Sequence, residues 1–129
     1  NIECTGNWLN SQSIQAFKPY GVSPQQYNVL RILKGQYPNA ITVNQIASRM
    51  LDKNSNASRL VDKLVSKELV KREQCESDRR QMDVAITTKG LKLIEEMKSD
   101  VTSLHGHVKK VITEKDAKAI NDFLDNMRD

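Results

Sequence analysis

The spacing of apolar residues changes along this chain and then changes back, and that switch limits the folds open to it. From Ser23 to Val65, apolar residues fall on helical positions, three and four apart with adjacent pairs. From Leu69 to Thr87 the period falls to two. Met82, Val84 and Ile86 alternate with Asp83, Ala85 and Thr87, the pattern of a half-buried strand, and Leu69 to Cys75 forms its partner. After Thr87 the helical spacing returns through Leu91, Ile94, Met97, Val101, Leu104 and Val108. The chain is therefore predicted to be mainly α with one small β-hairpin.

Capping signals divide the helical parts. Residues 2 to 17 carry Ile2, Trp8, Leu9, Ile14 and Phe17 in a loose helical pattern, which Lys18-Pro19-Tyr20-Gly21 ends. In Ser23-Pro24-Gln25-Gln26, the hydroxyl can accept the Gln26 N–H, the proline suits the first helical position and Gln26 can reach back. Thr42-Val43-Asn44-Gln45 repeats the pattern and opens a short helix with Ile46, Ala47, Met50 and Leu51 on one face. Asn54 or Ser55 is expected to cap the next helix. It turns Ala57, Leu60, Val61, Leu64 and Val65 inward, and Asn56, Ser58, Arg59, Asp62 and Lys63 outward. Thr87 and Thr113 cap the last two helices; the second of these carries Ala117, Ile120, Phe123, Leu124 and Met127. Two close-spaced helices followed by a hairpin form a winged helix-turn-helix.

The totals exclude more than they assign. With 129 residues and a formal net charge of +4, the chain suits one domain, and a nucleic acid is admissible as partner. No run of about 18 apolar residues is present, so no membrane contact is expected. No secretory signal is visible, and the two cysteines, Cys4 and Cys75, are too few for a disulfide scaffold. A cytoplasmic location follows as the expectation. Asn1 is not a methionine, so a natural start is expected upstream. The five glycines are scattered and make no phosphate loop. His105 and His107 stand two apart and do not share a helix face. No cofactor, metal site or catalytic constellation is expected, so the chain is not predicted to be an enzyme.

Two adjacent elements carry groups suited to a duplex. The helix beginning near Ser55 presents Asn54, Ser55, Asn56, Ser58, Arg59 and Lys63. These are amide, hydroxyl and cationic groups of the kind that recognise base edges in a major groove, where Asn pairs with adenine and Arg with guanine. The hairpin tip, Glu76-Ser77-Asp78-Arg79-Arg80, can extend an arginine into a minor groove, with Asp78 holding the Arg80 guanidinium in a forked pair. Lys53, Lys63, Lys71, Arg72 and Arg79 are expected on phosphates.

These same segments resemble the MarR family of bacterial transcriptional regulators. Asn56-Ala-Ser-Arg-Leu-Val-Asp-Lys-Leu64 resembles its recognition helix. Asp78-Arg-Arg-Gln-Met-Asp-Val-Ala-Ile-Thr-Thr-Lys-Gly90 resembles its wing, with Ile86 where Leu is usual. Lys18-Pro-Tyr-Gly-Val-Ser-Pro-Gln-Gln-Tyr27 resembles the approach to its second helix, and Glu68 replaces a glycine frequent at the end of the recognition helix. The resemblance implies one domain over residues 1–129, with a DNA-binding lobe at 20–90 and dimerisation helices at 1–19 and 91–129. It also implies a homodimer on double-stranded DNA with a pseudo-palindromic operator. In that dimer Leu91, Ile94, Met97, Val101, Leu104, Ile120, Phe123 and Leu124 are partly buried across the two-fold axis. A small aromatic or lipophilic effector is a further implied partner, in a pocket lined by Trp8, Phe17, Tyr27 and Met50. Two alternatives stand beside this reading: a winged-helix module that binds protein rather than DNA, and a regulator that senses oxidants through Cys4.

Overall fold

The computed structural model describes residues 1–129, which divide into two compact units, Asn1–Lys98 and Ser99–Asp129. The first unit holds α1 (Ile2–Phe17), a 3-10 turn (Lys18–Tyr20), α2 (Pro24–Gln36), β1 (Ile41–Thr42), α3 (Val43–Arg49), α4 (Ala57–Ser66), β2 (Val70–Gln74) and β3 (Met82–Ile86). α5 (Thr88–Val111) begins in this unit and continues into the second, which ends with α6 (Glu114–Arg128). The six helices and the hairpin follow in the order expected from the sequence; β1 is an addition.

The capping residues do what their chemistry suggests. Ser23 Oγ accepts the Gln26 N–H at 3.1 Å and Gln26 Oε1 accepts the Ser23 N–H at 3.1 Å. Thr42 and Gln45 repeat the exchange at α3, and Thr113 and Asp116 at α6. Each such cap satisfies donors that a helix start leaves without intrahelical partners, stabilising it by about 1 kcal/mol. α4 departs from expectation: its cap is Asn56, whose Oδ1 accepts the Arg59 N–H at 3.0 Å, rather than Asn54 or Ser55. The Asn54 N–H is bound by Asp52 Oδ1 at 2.9 Å and the Ser55 N–H by the Asp52 carbonyl at 3.2 Å. Both residues thus belong to a turn ahead of the helix.

The core lies where α2, α3, α4 and the sheet meet. Val29, Leu30 and Leu33 of α2, Ile46 of α3, Val61 and Leu64 of α4, Val84 of β3 and Met97 of α5 are all fully buried. Each such side chain contributes about 1.5–3 kcal/mol through removal from water. The face predicted for α3 is corrected: Ala47 is exposed, and Leu51 is 87% exposed because α3 stops at Arg49 and Met50 turns to an extended backbone.

The sheet is also richer than a hairpin. Its order is β1-β3-β2, all antiparallel, with Ile41 opposite Val84 and Val70 opposite Ile86. β3 is thus the central strand, which corrects the alternation read from its sequence. Ala85 is buried between buried Val84 and Ile86, and Met82 at the open end is 46% exposed. β1 is two residues long, too short for any periodicity to reveal.

α4 ends in a Schellman turn: Glu68 N–H bonds the Val65 carbonyl at 2.9 Å, and Leu69 N–H bonds that of Leu64 at 3.0 Å. Glu68 takes φ 61°, the left-handed conformation that the usual glycine adopts without strain. The helix therefore ends as the glycine-containing pattern would, at a steric cost. Gly90, in the first turn of α5, lies against the chain just after this turn: a Cβ there would fall on the Leu69 carbonyl and within 2.7 Å of Ile86 Cγ1. Glu68→Gly is expected to raise the free energy of unfolding by about 1 kcal/mol, and Gly90→Ala to lower it by about 2–3 kcal/mol. Urea denaturation of the two variants checks both signs.

Candidate nucleic-acid interface

α4 is amphipathic in a way that leaves one clean outer face. Ala57, Val61 and Leu64 are buried, whereas Asn56, Ser58, Arg59, Asp62 and Lys63 are exposed, as expected. Arg59 and Lys63 lie one turn apart and have no acidic partner. Both border a cleft of about 390 Å³ between α4 and the start of α2, whose other walls include Gln25, Asp52 and Ser55.

Two predicted reading groups are not presented as the sequence suggested. Ser55 Oγ is buried, without a hydrogen-bond partner, so it does not project outward. Asn56 has committed its carbonyl oxygen to the cap, leaving only its amide NH₂ to donate. A bidentate Asn–adenine pair needs both groups, so Asn56 cannot form one while it caps α4. Asn54 is exposed, in the turn before the helix.

The hairpin carries the second cluster. β2 and β3 pair from Val70–Ile86 to Gln74–Met82, and the tip is closed by Cys75 N–H on the Gln81 carbonyl at 3.0 Å and Gln81 N–H on that of Asp78 at 3.1 Å. Asp78 does not form the expected forked pair with the Arg80 guanidinium. Its Oδ1 accepts the Arg80 backbone N–H at 3.0 Å, a local turn that fixes the chain and leaves the guanidinium unpaired. Arg79 and Arg80 are both exposed, and Gln74 Nε2 holds the Arg79 carbonyl at 3.0 Å.

Two cations expected on phosphates already have acidic partners, and a third is bound to a backbone carbonyl. Lys71 Nζ lies 2.8 Å from Glu73 Oε1, and the hydrogen bond and charge of Glu73 raise its pKa above the ordinary lysine value. Arg72 is paired with Asp62 of α4. That second pair joins the exposed face of α4 to β2 of the hairpin. Lys53 Nζ donates to the Ser48 carbonyl at 2.7 Å.

The residues named for an effector pocket are differently placed. Phe17 and Tyr27 meet with ring centroids 4.8 Å apart, while Phe17 and Met50 are 4% and 2% exposed and Trp8 is 47% exposed. Cys4 is exposed near the start of α1. Cys75, read as only a strand terminus, lies just beyond β2 with Sγ 3.1 Å from Ser77 Oγ. The Ser77 hydroxyl, then the backbone of Asp78 and Ser77, hold its thiol below the ordinary cysteine pKa. The serine two residues on was the available sequence signal.

Residues 22–82 match the sequence profile of the MarR family. Over 118 residues the chain is 27% identical to the HTH-type transcriptional regulator MhqR of Bacillus subtilis, covering 90% of this chain and 79% of that protein. The S. aureus MepR–DNA complex superposes with a TM-score of 0.88 at 21% identity, covering 98% of this chain and 92% of MepR. CouR of Rhodococcus jostii, bound to p-coumaroyl-CoA, superposes with a TM-score of 0.79 at 25% identity, covering 98% and 87% of the two chains. No helix here is long and apolar enough to cross a membrane. A winged helix of this order, matched in profile from the start of α2 into β3, makes the chain similar to the MarR family of transcriptional regulators.

Proposed function

We propose that the chain is a sequence-specific DNA-binding regulator that acts as a homodimer on a pseudo-palindromic operator, in the cytoplasm. The observation that carries this reading is a set of exposed cations without acidic partners on two elements that the Asp62–Arg72 pair ties together: Arg59 and Lys63 on α4, Arg79 and Arg80 on the hairpin. α4 enters the major groove, with Ser58 and Arg59 at base edges and Lys63 on the backbone, and the hairpin places Arg80 toward the minor groove. Asn54 and Asn56 contribute donors at the α4 start. Asp78 acts by shaping the tip rather than by touching DNA.

Dimerisation answers a separate need. α1 exposes Ile2, Trp8, Leu9 and Ile14, and α6 exposes Ile120, Phe123 and Met127 and buries no residue at all. An amphipathic helix with an open apolar face gains stability only by covering it. We assign 1–19 and 91–129 to the dimer and 20–90 to the DNA-binding lobe, within one domain. Ile94 and Met97 are already buried within the chain, so the interface falls to the exposed residues instead. A two-fold dimer would set its two recognition helices about 34–36 Å apart, one turn of duplex.

A small aromatic or lipophilic effector is part of the proposal. CouR, with its bound p-coumaroyl-CoA, supports it. The Phe17–Tyr27 ring pair, with Trp8 and Met50 from the same unit, is the assigned region.

Selection of bound sequences from random duplex DNA should return an inverted repeat; a pool without symmetry refutes the dimeric reading, and no enrichment refutes DNA recognition. Arg59→Ala and Arg80→Ala should each weaken binding to the selected site by about 1–3 kcal/mol with unchanged circular dichroism. Affinity that stays at the wild-type value in both variants removes the groove assignment. Phe123→Glu, at a 63% exposed position, should sediment as monomer. A dimer that persists places the interface elsewhere.

A further inference from the structure

Asp62 is the only acidic residue of α4, and it stands on the face that carries Ser58, Arg59 and Lys63. A carboxylate there repels the phosphates of an approaching duplex unless it is neutralised. It is neutralised by Arg72, whose Nη2 reaches Asp62 Oδ1 from β2. Stability does not explain the pair. The two side chains are 60% and 40% exposed, and ion pairs so open to solvent add little to folding. What the pair changes is the surface. It removes one arginine from the cations free to meet phosphate, and it joins α4 to the hairpin by a directed contact.

We propose that Asp62 is a specificity-determining residue that acts by holding Arg72 off the DNA backbone. This rests on the DNA-binding reading above. Contacts to phosphate carry no sequence information, and any exposed arginine strengthens binding to any duplex. Base recognition by α4 together with the hairpin needs the two elements in fixed register, which the pair supplies. Breaking the pair from the acidic side frees Arg72 for phosphate and loosens that register. Binding to random duplex gains, and binding to the operator does not gain with it.

The test is a double-mutant cycle read as salt dependence. Affinity for a random duplex and for the selected site is measured against potassium chloride concentration for wild type, Asp62→Asn, Arg72→Gln and the double variant. Asp62→Asn should steepen the random-duplex slope of log affinity on log salt by about 0.9 per protomer. It should also lower the operator-to-random ratio about fivefold. Arg72→Gln should leave that slope unchanged in the wild-type background and remove the added 0.9 or so in the Asp62→Asn background. Asp62→Ala should reproduce Asp62→Asn. The proposal is overturned if Arg72→Gln lowers the slope equally in both backgrounds, since Arg72 then meets phosphate despite Asp62. It is equally overturned if the ratio in Asp62→Asn stays at the wild-type value. Wild type that binds neither duplex overturns the DNA-binding reading itself, whereas tight operator binding with additive slopes overturns the masking alone.

Discussion

The turn from α4 into β2 sets the angle between the two elements of the DNA-facing surface, and the start of α5 clasps that turn. Glu68 reverses the chain in a left-handed conformation. Its carbonyl then accepts the Thr87 hydroxyl at 2.7 Å, and the Leu69 carbonyl accepts the Thr87 N–H at 3.1 Å. The same Thr87 Oγ1 caps α5 by accepting the Gly90 N–H at 3.1 Å. Lys89 Nζ adds a bond to the Lys67 carbonyl at 3.1 Å, and Gly90 lets α5 approach without a side chain in the way. The Ile86-Thr-Thr-Lys-Gly90 segment therefore anchors the start of α5 to the α4–β2 turn. The fold tolerates a strained Glu68 because so many bonds fix its neighbours.

Much of this was legible in the sequence, for identifiable reasons. Ser23, Thr42 and Thr113 announced their helices because a hydroxyl three residues before Gln or Asp has one efficient use, the reciprocal cap. The outer face of α4 was legible because a helix with Ala57, Val61 and Leu64 inside leaves no freedom about which residues face outward. What failed were cases of tertiary override or short range. Asn56 took the cap from Asn54 and Ser55, since three consecutive polar residues offer equal local chemistry and only the Asp52 turn decides among them. Ala85 is buried against the alternation, and β1, which makes β3 the central strand, is two residues long and leaves no periodic trace. Partner choice was also invisible. Arg72 and Arg80 are alike in sequence, but one faces Asp62 and the other has its backbone, not its guanidinium, held by Asp78.

That distinction organises the electrostatics of the surface. A modest formal charge of +4 is not a strong attraction for a polyanion. What matters is which cations are left over after local pairing. Lys71 and Arg72 on β2 are answered by Glu73 and Asp62, while Arg59, Lys63, Arg79 and Arg80 are not answered at all. The unpaired cations are on α4 and the hairpin tip, and the paired ones are on β2, which joins them in the chain. On the proposed reading, a distribution of this kind concentrates attraction on the elements that would enter a groove and damps it along the connecting strand, which favours a particular docked geometry over general adhesion.

The second unit shows the complementary economy. Ser99–Asp129 contains the end of α5 and all of α6, yet none of its residues is buried. α6 has a reciprocal cap at Thr113, acidic residues in its first turn and an arginine in its last, all of which favour an isolated helix by tenths of a kcal/mol to about 1 kcal/mol each. Such terms sustain a helix but do not fold a domain, because the entropy lost on ordering each residue is about 1–2 kcal/mol. Ile120, Phe123 and Met127 hold the apolar area that would offset it, and in a single chain they leave that area in water. A helix so well capped and so poorly buried is ordered in advance for a surface it does not itself contain. In the proposed dimer on a pseudo-palindromic site, a second copy would supply that surface and the second reading element together.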